Sequence, residues 1–392
     1  MSFEKVTEYL DSLNEQFQVR CCDCIVLKNH EVVYRHLNGT MDVDGNIPLT
    51  EENFHDIYSA SKVMTVIAVM QLVEQGKIDL DDELGKYLSE YQNMDVLDDF
   101  DLTDYVSTGK FLFGWPEEPK KPVTNKITLR TMLSMAAGFT YHLGNKEALA
   151  LLAQNPHATT REFVNAWSNS PLLFEPGTRY AYSYALDILG VVVEVVSGMR
   201  FADYKRTNVF EPVGAMDMYY HLPQGKIHLL TELYAYDAER QTHVKSTTNL
   251  SRLTDCFDSG GAGIVCTVES YSKVLDALAN DGVAANGVRI LTKESIDEIK
   301  KNRLNEQQLA DFHIGGKYEY GYGYGVRTLI DETKSKSPIG EFGWDGAAGA
   351  YVLADTKNQL AIFYVQAAPE SGSAFSTIHP TLRDLVYEAV LQ

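Results

Sequence analysis

One stretch constrains this chain more than any other. Between Ser59 and Gln75, the residues Val63, Met64, Val66, Ile67, Val69, Met70, Leu72 and Val73 cover nearly every face of a helical wheel. A helix that is apolar all round must be buried on all sides. Gly76 follows it, where a helix C-cap is expected. Such a helix needs cover from several layers, and the 392-residue chain is long enough to build them. A single core stops growing near roughly 250–300 residues, so two associated sub-structures are expected.

The rest of the chain supplies the layers. Phe3, Val6, Leu10, Leu13 and Phe17 recur at helical spacing. Residues 18–39 alternate as a hairpin, with a polar turn at Lys28-Asn29-His30. Helical patterns run at about 128–137, 145–153, 159–168 and 184–197, and strand patterns return at Gly321–Val326, Gly349–Ala354 and Leu360–Gln366. A final helix is expected near Pro380–Leu391. Strand-rich ends around a helix-rich middle predict an α/β (α+β) fold, an antiparallel sheet flanked by helices with a mainly helical domain inserted. The expected division is 1–80 plus 256–392 for the sheet domain and 81–255 for the insert, with the site between them.

Charge and composition narrow the function. There are 34 basic and 54 acidic residues, a net charge of −20, which repels phosphate backbones and anionic membranes. No nucleic-acid or membrane partner is therefore expected, and no segment has the roughly 20 apolar residues of a bilayer span. The first residues lack the basic start and apolar run of a signal peptide. Five cysteines are an odd number and do not read as a disulfide framework. Cys21, Cys22 and Cys24 fall in a strand-like run where Cys22 and Cys24 share a face; two or three adjacent ligands cannot complete a tetrahedron alone, so buried or half-buried free thiols and a reduced, cytoplasmic protein are expected. Asp95, Asp98, Asp99, Asp101 and Asp104, followed by Pro116, Pro119 and Pro122, lack calcium-loop spacing and read as an acidic surface segment. The ten histidines are scattered, and no metal or organic cofactor is expected. The run Gly321-Tyr322-Gly323-Tyr324-Gly325 lacks dinucleotide-binding spacing.

One catalytic pattern remains, Ser59-Ala60-Ser61-Lys62, an S-x-x-K motif at the start of the apolar helix. The pattern also occurs at Ser2–Lys5, Ser107–Lys110 and Ser270–Lys273. The first lies at the terminus and the second in the acidic segment. The third opens a helix whose partial apolar stripe suggests a surface position. Residues i and i+3 share a helix face, so the Lys62 amine reaches the Ser59 hydroxyl and can take its proton. The helix N-terminus also favours negative charge developing on a substrate oxygen.

Residues 54–62 and 71–82 resemble the serine β-lactamase-like superfamily, which includes class C β-lactamases, D-alanyl-D-alanine carboxypeptidases and family VIII carboxylesterases. The similarity continues through Ile127–Gly138, Phe174–Thr178, Ser259–Gly263 and Gly343–Gly349, in family order. The resemblance implies Ser59 as nucleophile, with Lys62 and Tyr182 passing the proton. It places Tyr184 where the family usually has asparagine. It aligns Trp344-Asp345-Gly346 with the family's Lys-Thr-Gly strand, making Tyr184, Trp344, Asp345 and Gly346 substrate-binding candidates. It assigns the oxyanion hole to the backbone N–H groups of Ser59 and Ala347. The form Tyr182-Ser183-Tyr184-Ala185-Leu186-Asp187-Ile188-Leu189-Gly190 resembles the esterase and acyltransferase branch, which implies a small-molecule ester or amide substrate, with neutral esters favoured. Alternatives are a β-lactamase or D-amino-acid peptidase, or a catalytically silent binding protein on the same scaffold. The sequence is silent on oligomeric state.

Overall fold

The computed structural model describes residues 1–98, 100–102, 119–141, 145–246, 252–369 and 371–391. Its main sheet has seven antiparallel strands in the order Tyr320–Tyr322, Arg327–Leu329, Phe342–Gly343, Tyr351–Asp355, Leu360–Gln366, Cys21–Lys28 and Glu31–Gly39. The N-terminal hairpin thus joins the sheet beside the last strand, with Cys22 opposite Gln366 and Lys28 opposite Leu360. Positive φ angles at Asn29 (51°) and His30 (70°) make the tight turn that sets the hairpin.

Alternation along the two central strands assigns their faces. Cys22, Cys24, Val26, Ile362 and Tyr364 pack against the terminal helices Glu4–Phe17 and His379–Leu391. Ile25, Leu27, Phe363 and Val365 face the opposite core, which contains the apolar helix, here Ser61–Glu74. Twelve of the fourteen residues of that helix are buried, as its all-round apolar pattern requires. The five cysteines are free thiols; four are buried and Cys256 is half-buried.

One expectation changes. The helix Val268–Ala279 was expected at the surface, but ten of its residues are buried and it lies across the central strands. Its polar positions disguise this because each is satisfied locally. The Ser270 hydroxyl accepts the Asp217 N–H at 3.1 Å, the Ser272 hydroxyl donates to the Glu269 carbonyl, and Asp276 pairs with His30 at 2.8 Å. Of the acidic segment, Asp95, Asp98 and Asp101 are exposed as expected. Asp99, Asp104, Pro116 and the motif Ser107–Lys110 lie outside the described residues.

A second, three-stranded sheet joins His55–Asp56, Val265–Cys266 and Met218–Tyr219. It anchors the chain immediately before Ser59. Tyr271 reinforces this anchor: its ring stacks on Phe363 at 4.1 Å and its hydroxyl donates to the Ala60 carbonyl at 2.8 Å. Tyr271→Phe should therefore cost about 1 kcal/mol. Tyr271→Ala should cost about 3–5 kcal/mol by also opening a cavity. Urea unfolding of the two variants measures the difference.

Candidate active site

Ser59 sits in a single helical turn, Tyr58–Ala60, that leads into the buried helix. Tyr58 has φ +45°, an unfavourable conformation for a bulky residue, maintained here by contacts on both sides. The Ile57 N–H donates to the Ile264 carbonyl, and the Ile264 N–H donates to the Ser61 hydroxyl. These bonds present the Ser59 side chain at the end of the helix.

Lys62 is completely buried. Its Nζ lies 3.2 Å from Ser59 Oγ, 2.6 Å from the Tyr141 hydroxyl and 2.7 Å from the Gly261 carbonyl. An ammonium has three N–H donors, and three acceptors meet them. After loss of the proton, two N–H groups can hold Tyr141 and Gly261 while the lone pair faces the Ser59 hydroxyl. The same geometry therefore serves both protonation states. Among the described residues Lys62 makes no ion pair, so no carboxylate in direct contact fixes its proton.

The loop Ser259–Gly261 provides one of these contacts and is itself clamped. Asp187 Oδ1 accepts from the Ser259 hydroxyl at 2.6 Å and from the Gly261 N–H at 3.2 Å. Burial raises the Asp187 pKa above the usual carboxylate range, with Lys62 and the Ser259 bond opposing. A side chain at Gly261 would meet Asp187 Oδ2 at 2.6 Å and Lys62 Nζ at 3.2 Å, so the carboxylate and amine face each other across this glycine.

The structure brings Tyr182 and Trp344 to the same place. The Lys62 ammonium lies 4.7 Å from the centre of the Tyr182 ring, and Trp344 Nε1 donates to the Tyr182 hydroxyl at 2.8 Å. It is Tyr141, which sequence reasoning missed, that hydrogen-bonds Lys62. Removal from water raises the Tyr141 hydroxyl above its ordinary pKa, and the neighbouring Tyr182 adds to the effect. No sequence signal separates Tyr141 from the other tyrosines, because it reaches Lys62 only through the fold.

Two substrate-binding expectations need correction, those for Tyr184 and Asp345. Tyr184 is 1% exposed and packs in the core, 4.7 Å from the Trp167 ring and 5.8 Å from Phe139, so it is not placed to touch a ligand. Asp345 turns away to accept from Arg327 Nη1 at 2.8 Å and Lys317 Nζ at 2.7 Å. Burial would raise its pKa, but these two cations hold it well below the usual carboxylate range. Gly346 is required by the chain itself, since a Cβ there would lie 2.1 Å from the Ile57 carbonyl oxygen. That contact seats the Gly346–Ala350 turn against the segment carrying Ser59, and Ala347 is exposed in this turn. Among the described residues, neither the Ser59 nor the Ala347 N–H has an acceptor within the chain.

The competing motif is occupied otherwise. Lys273 pairs with Glu269 and donates to the Gly214 carbonyl, while Ser270 holds Asp217. Among the described residues, one group of metal-ligand type lies close together, His157, Asp255 and Cys256, with ligand atoms within 4.8 Å of one another. His157 and Asp255 are exposed and form an ion pair at 2.8 Å.

A serine beside a buried lysine that no carboxylate contacts directly among the described residues, at the start of a helix, is an arrangement suited to acyl transfer. The Beta-lactamase family profile matches residues 7–384, and the chain belongs to that family. It is 27% identical over 353 residues to lovastatin esterase of Penicillium rubens, covering 84% of each protein. Its fold matches simvastatin synthase (LovD) from Aspergillus terreus with a TM-score of 0.80, 19% identity and all of both chains covered. It likewise matches EstCE1, described as a hydrolase with promiscuous acyltransferase activity, with a TM-score of 0.77, 19% identity and 98% of each chain covered.

Gly261→Ala drives a methyl group between Asp187 and Lys62. It should lower kcat by at least about 10²-fold, the effect of a misplacement near 1 Å. Steady-state kinetics, with circular dichroism to confirm the fold, measures this.

Proposed function

We propose that the protein is a serine hydrolase acting through an acyl–enzyme on Ser59, a carboxylesterase or acyltransferase for small neutral esters. The observation that carries this reading is the 3.2 Å contact between Ser59 Oγ and a Lys62 amine whose other partners are a phenol and a carbonyl. Family membership and the esterase among its relatives support it. The buried free thiols support a reduced, cytoplasmic setting, which disfavours cell-wall peptides as substrate.

In the proposed reaction, Ser59 Oγ attacks the ester carbonyl carbon as its proton passes to Lys62 Nζ. The carbonyl oxygen becomes an oxyanion facing the Ser59 and Ala347 N–H groups. The carbon–alkoxy bond then breaks, the alkoxide takes a proton, and the acyl group remains on Ser59. Tyr182 is suited to deliver that proton: the Trp344 indole can only donate, so Tyr182 accepts from it and keeps its own proton for an acceptor in the cleft. Water or an alcohol then attacks the acyl–enzyme, and the same groups run in reverse.

The neutral-substrate preference rests on the segment that follows the strand Phe342–Gly343. Trp344 offers one uncharged donor, and the nearby cations Arg327 and Lys317 are engaged by Asp345. Among the described residues, a substrate carboxylate would find no uncommitted cation in this segment or in the Arg327–Lys317 pair beside it. The insert and the sheet region are proposed to act as two lobes around this cleft, with Tyr141, Tyr182 and Asp187 from one and Trp344 and Gly261 from the other.

Ser59→Ala should abolish stoichiometric labelling by a serine-directed phosphonate, read by intact mass. Labelling that survives in Ser59→Ala would refute the nucleophile. The kcat/KM for the best p-nitrophenyl ester should exceed that for a chromogenic cephalosporin, and equal values would remove the neutral-ester preference. Tyr182→Phe should lower kcat at least about 10²-fold, the lower range for a general acid or base. Tyr141→Phe, which leaves the ring but removes the acceptor for Lys62, should cost less. The reverse order would assign the proton donor to Tyr141.

A further inference from the structure

A second lysine is buried behind the catalytic one. Lys205 is 0% exposed and ends the short helix Phe201–Lys205, where the helix widens into a π-helical turn over Arg206–Phe210. Its Nζ lies 4.8 Å from the centre of the Phe201 ring, 5.0 Å from that of Tyr220 and 5.9 Å from that of Phe210. Among the described residues it makes no ion pair. The nearby Asp258 is taken by Arg200, through two bonds of 2.7 Å, and by His221 at 3.0 Å. Burial lowers the Lys205 pKa well below the ordinary lysine range, with Asp258 and Asp187 pulling the other way. A fully buried amine carries a desolvation penalty unless its polar atoms are used. An aliphatic residue would fill an aromatic cage at less cost.

Among the described residues its one hydrogen-bond partner is Thr65 Oγ1, at 3.3 Å. Thr65 lies one turn beyond Lys62 on the catalytic helix, and its hydroxyl donates to the Gly260 carbonyl at 2.6 Å. With its proton committed to Gly260, the Thr65 oxygen can only accept; Lys205 is placed to donate to it at 3.3 Å, and the buried Tyr220 hydroxyl lies beside the same oxygen. The next carbonyl along, that of Gly261, is the one that holds Lys62. Gly260 has no room to adjust, since a Cβ there would lie 2.2 Å from the Leu186 carbonyl oxygen. The glycine loop is thus gripped from one side by Asp187 and from the other by Thr65.

We propose that Lys205 is a positioning residue for the serine reaction: its N–H fixes the Thr65 hydroxyl, which orients the Gly260–Gly261 carbonyls and through them the Lys62 amine. This rests on the reading of Ser59 as nucleophile and extends it to a residue that touches neither substrate nor Ser59. A lysine merely tolerated in the core would influence stability alone. A positioning lysine influences the rate at Ser59 separately from stability.

The test uses the full chain and the rate at which a fluorophosphonate labels Ser59, forming the Oγ–P bond and releasing fluoride, alongside urea unfolding. Lys205→Met fits an aromatic cage but has no N–H donor, whereas Lys205→Gln keeps a donor and suits the cage less well. The expected result is opposite rankings: Met at least as stable as Gln, yet labelled about tenfold more slowly than the unaltered protein, with Gln recovering part of the rate. Because misplaced groups commonly lose this much or more, a tenfold loss is readily resolved. Lys205→Leu against Lys205→Gln repeats the comparison and stands in if Lys205→Met does not fold, while Thr65→Val removes both the Lys205 and the Gly260 bonds of the hydroxyl. The double variant Lys205→Met/Thr65→Val should label no more slowly than either single variant, as expected for residues acting in series. Labelling of Lys205→Met and Thr65→Val at the unaltered rate would overturn the role of Lys205 while leaving Ser59 in place. Rates that simply follow stability would do the same. An unaltered protein that does not label at all would remove the Ser59 assignment and this one with it.

Discussion

A lysine amine withdrawn from water loses stability for every N–H left without an acceptor, and the site is arranged to meet all three of those on Lys62. Lys62 meets it with a serine hydroxyl, a tyrosine hydroxyl and a backbone carbonyl, none of which holds a charge against it. A carboxylate in direct contact would favour the ammonium and oppose proton uptake from Ser59. Asp187 instead acts at one remove, bonding the loop that bonds the lysine. The buried polar groups form a connected network, so an error at any member is felt at the amine.

That network survives only because backbone segments approach very closely. Gly260, Gly261 and Gly346 each occupy a position where a methyl group would strike another part of the chain within 2.1–2.6 Å. The first two press the loop onto the Leu186 carbonyl and the Asp187–Lys62 pair. The third seats the Trp344 turn against Ile57. Tyr271 braces the same region from the sheet side, linking the core strand residue Phe363 to the Ala60 carbonyl. Rigid elements on three sides thus hold the serine turn, including its strained residue Tyr58.

Much of the fold could be read directly because burial follows simple periodicities. The terminal helix, the hairpin and its turn, the all-round apolar helix and the last strands each carry a local pattern that the structure repeats. The helix Val268–Ala279 defeated this reading since its serines and aspartate are buried but satisfied by specific partners. Periodicity registers polarity, not whether a polar atom has found a bond. Tyr184 misled for the related reason that position within a motif does not say which way a side chain points. Its neighbour two residues back faces the lysine, while Tyr184 caps the following helix from within the core.

The sequence by itself determined the position of the serine–lysine pair, since three residues on one helix place the two side chains together whatever surrounds them. It also determined that this helix is central, because no surface can accommodate a helix apolar on every side. Only the tertiary structure decided the pair's remaining partners. Tyr141, Asp187, Lys205, Gly261 and Trp344 lie between 82 and 285 residues from Ser59, in pairings that no local pattern encodes. Their hydrogen bonds depend on ångström-scale approach of separate segments, and sequence periodicity carries no information about distance across a core.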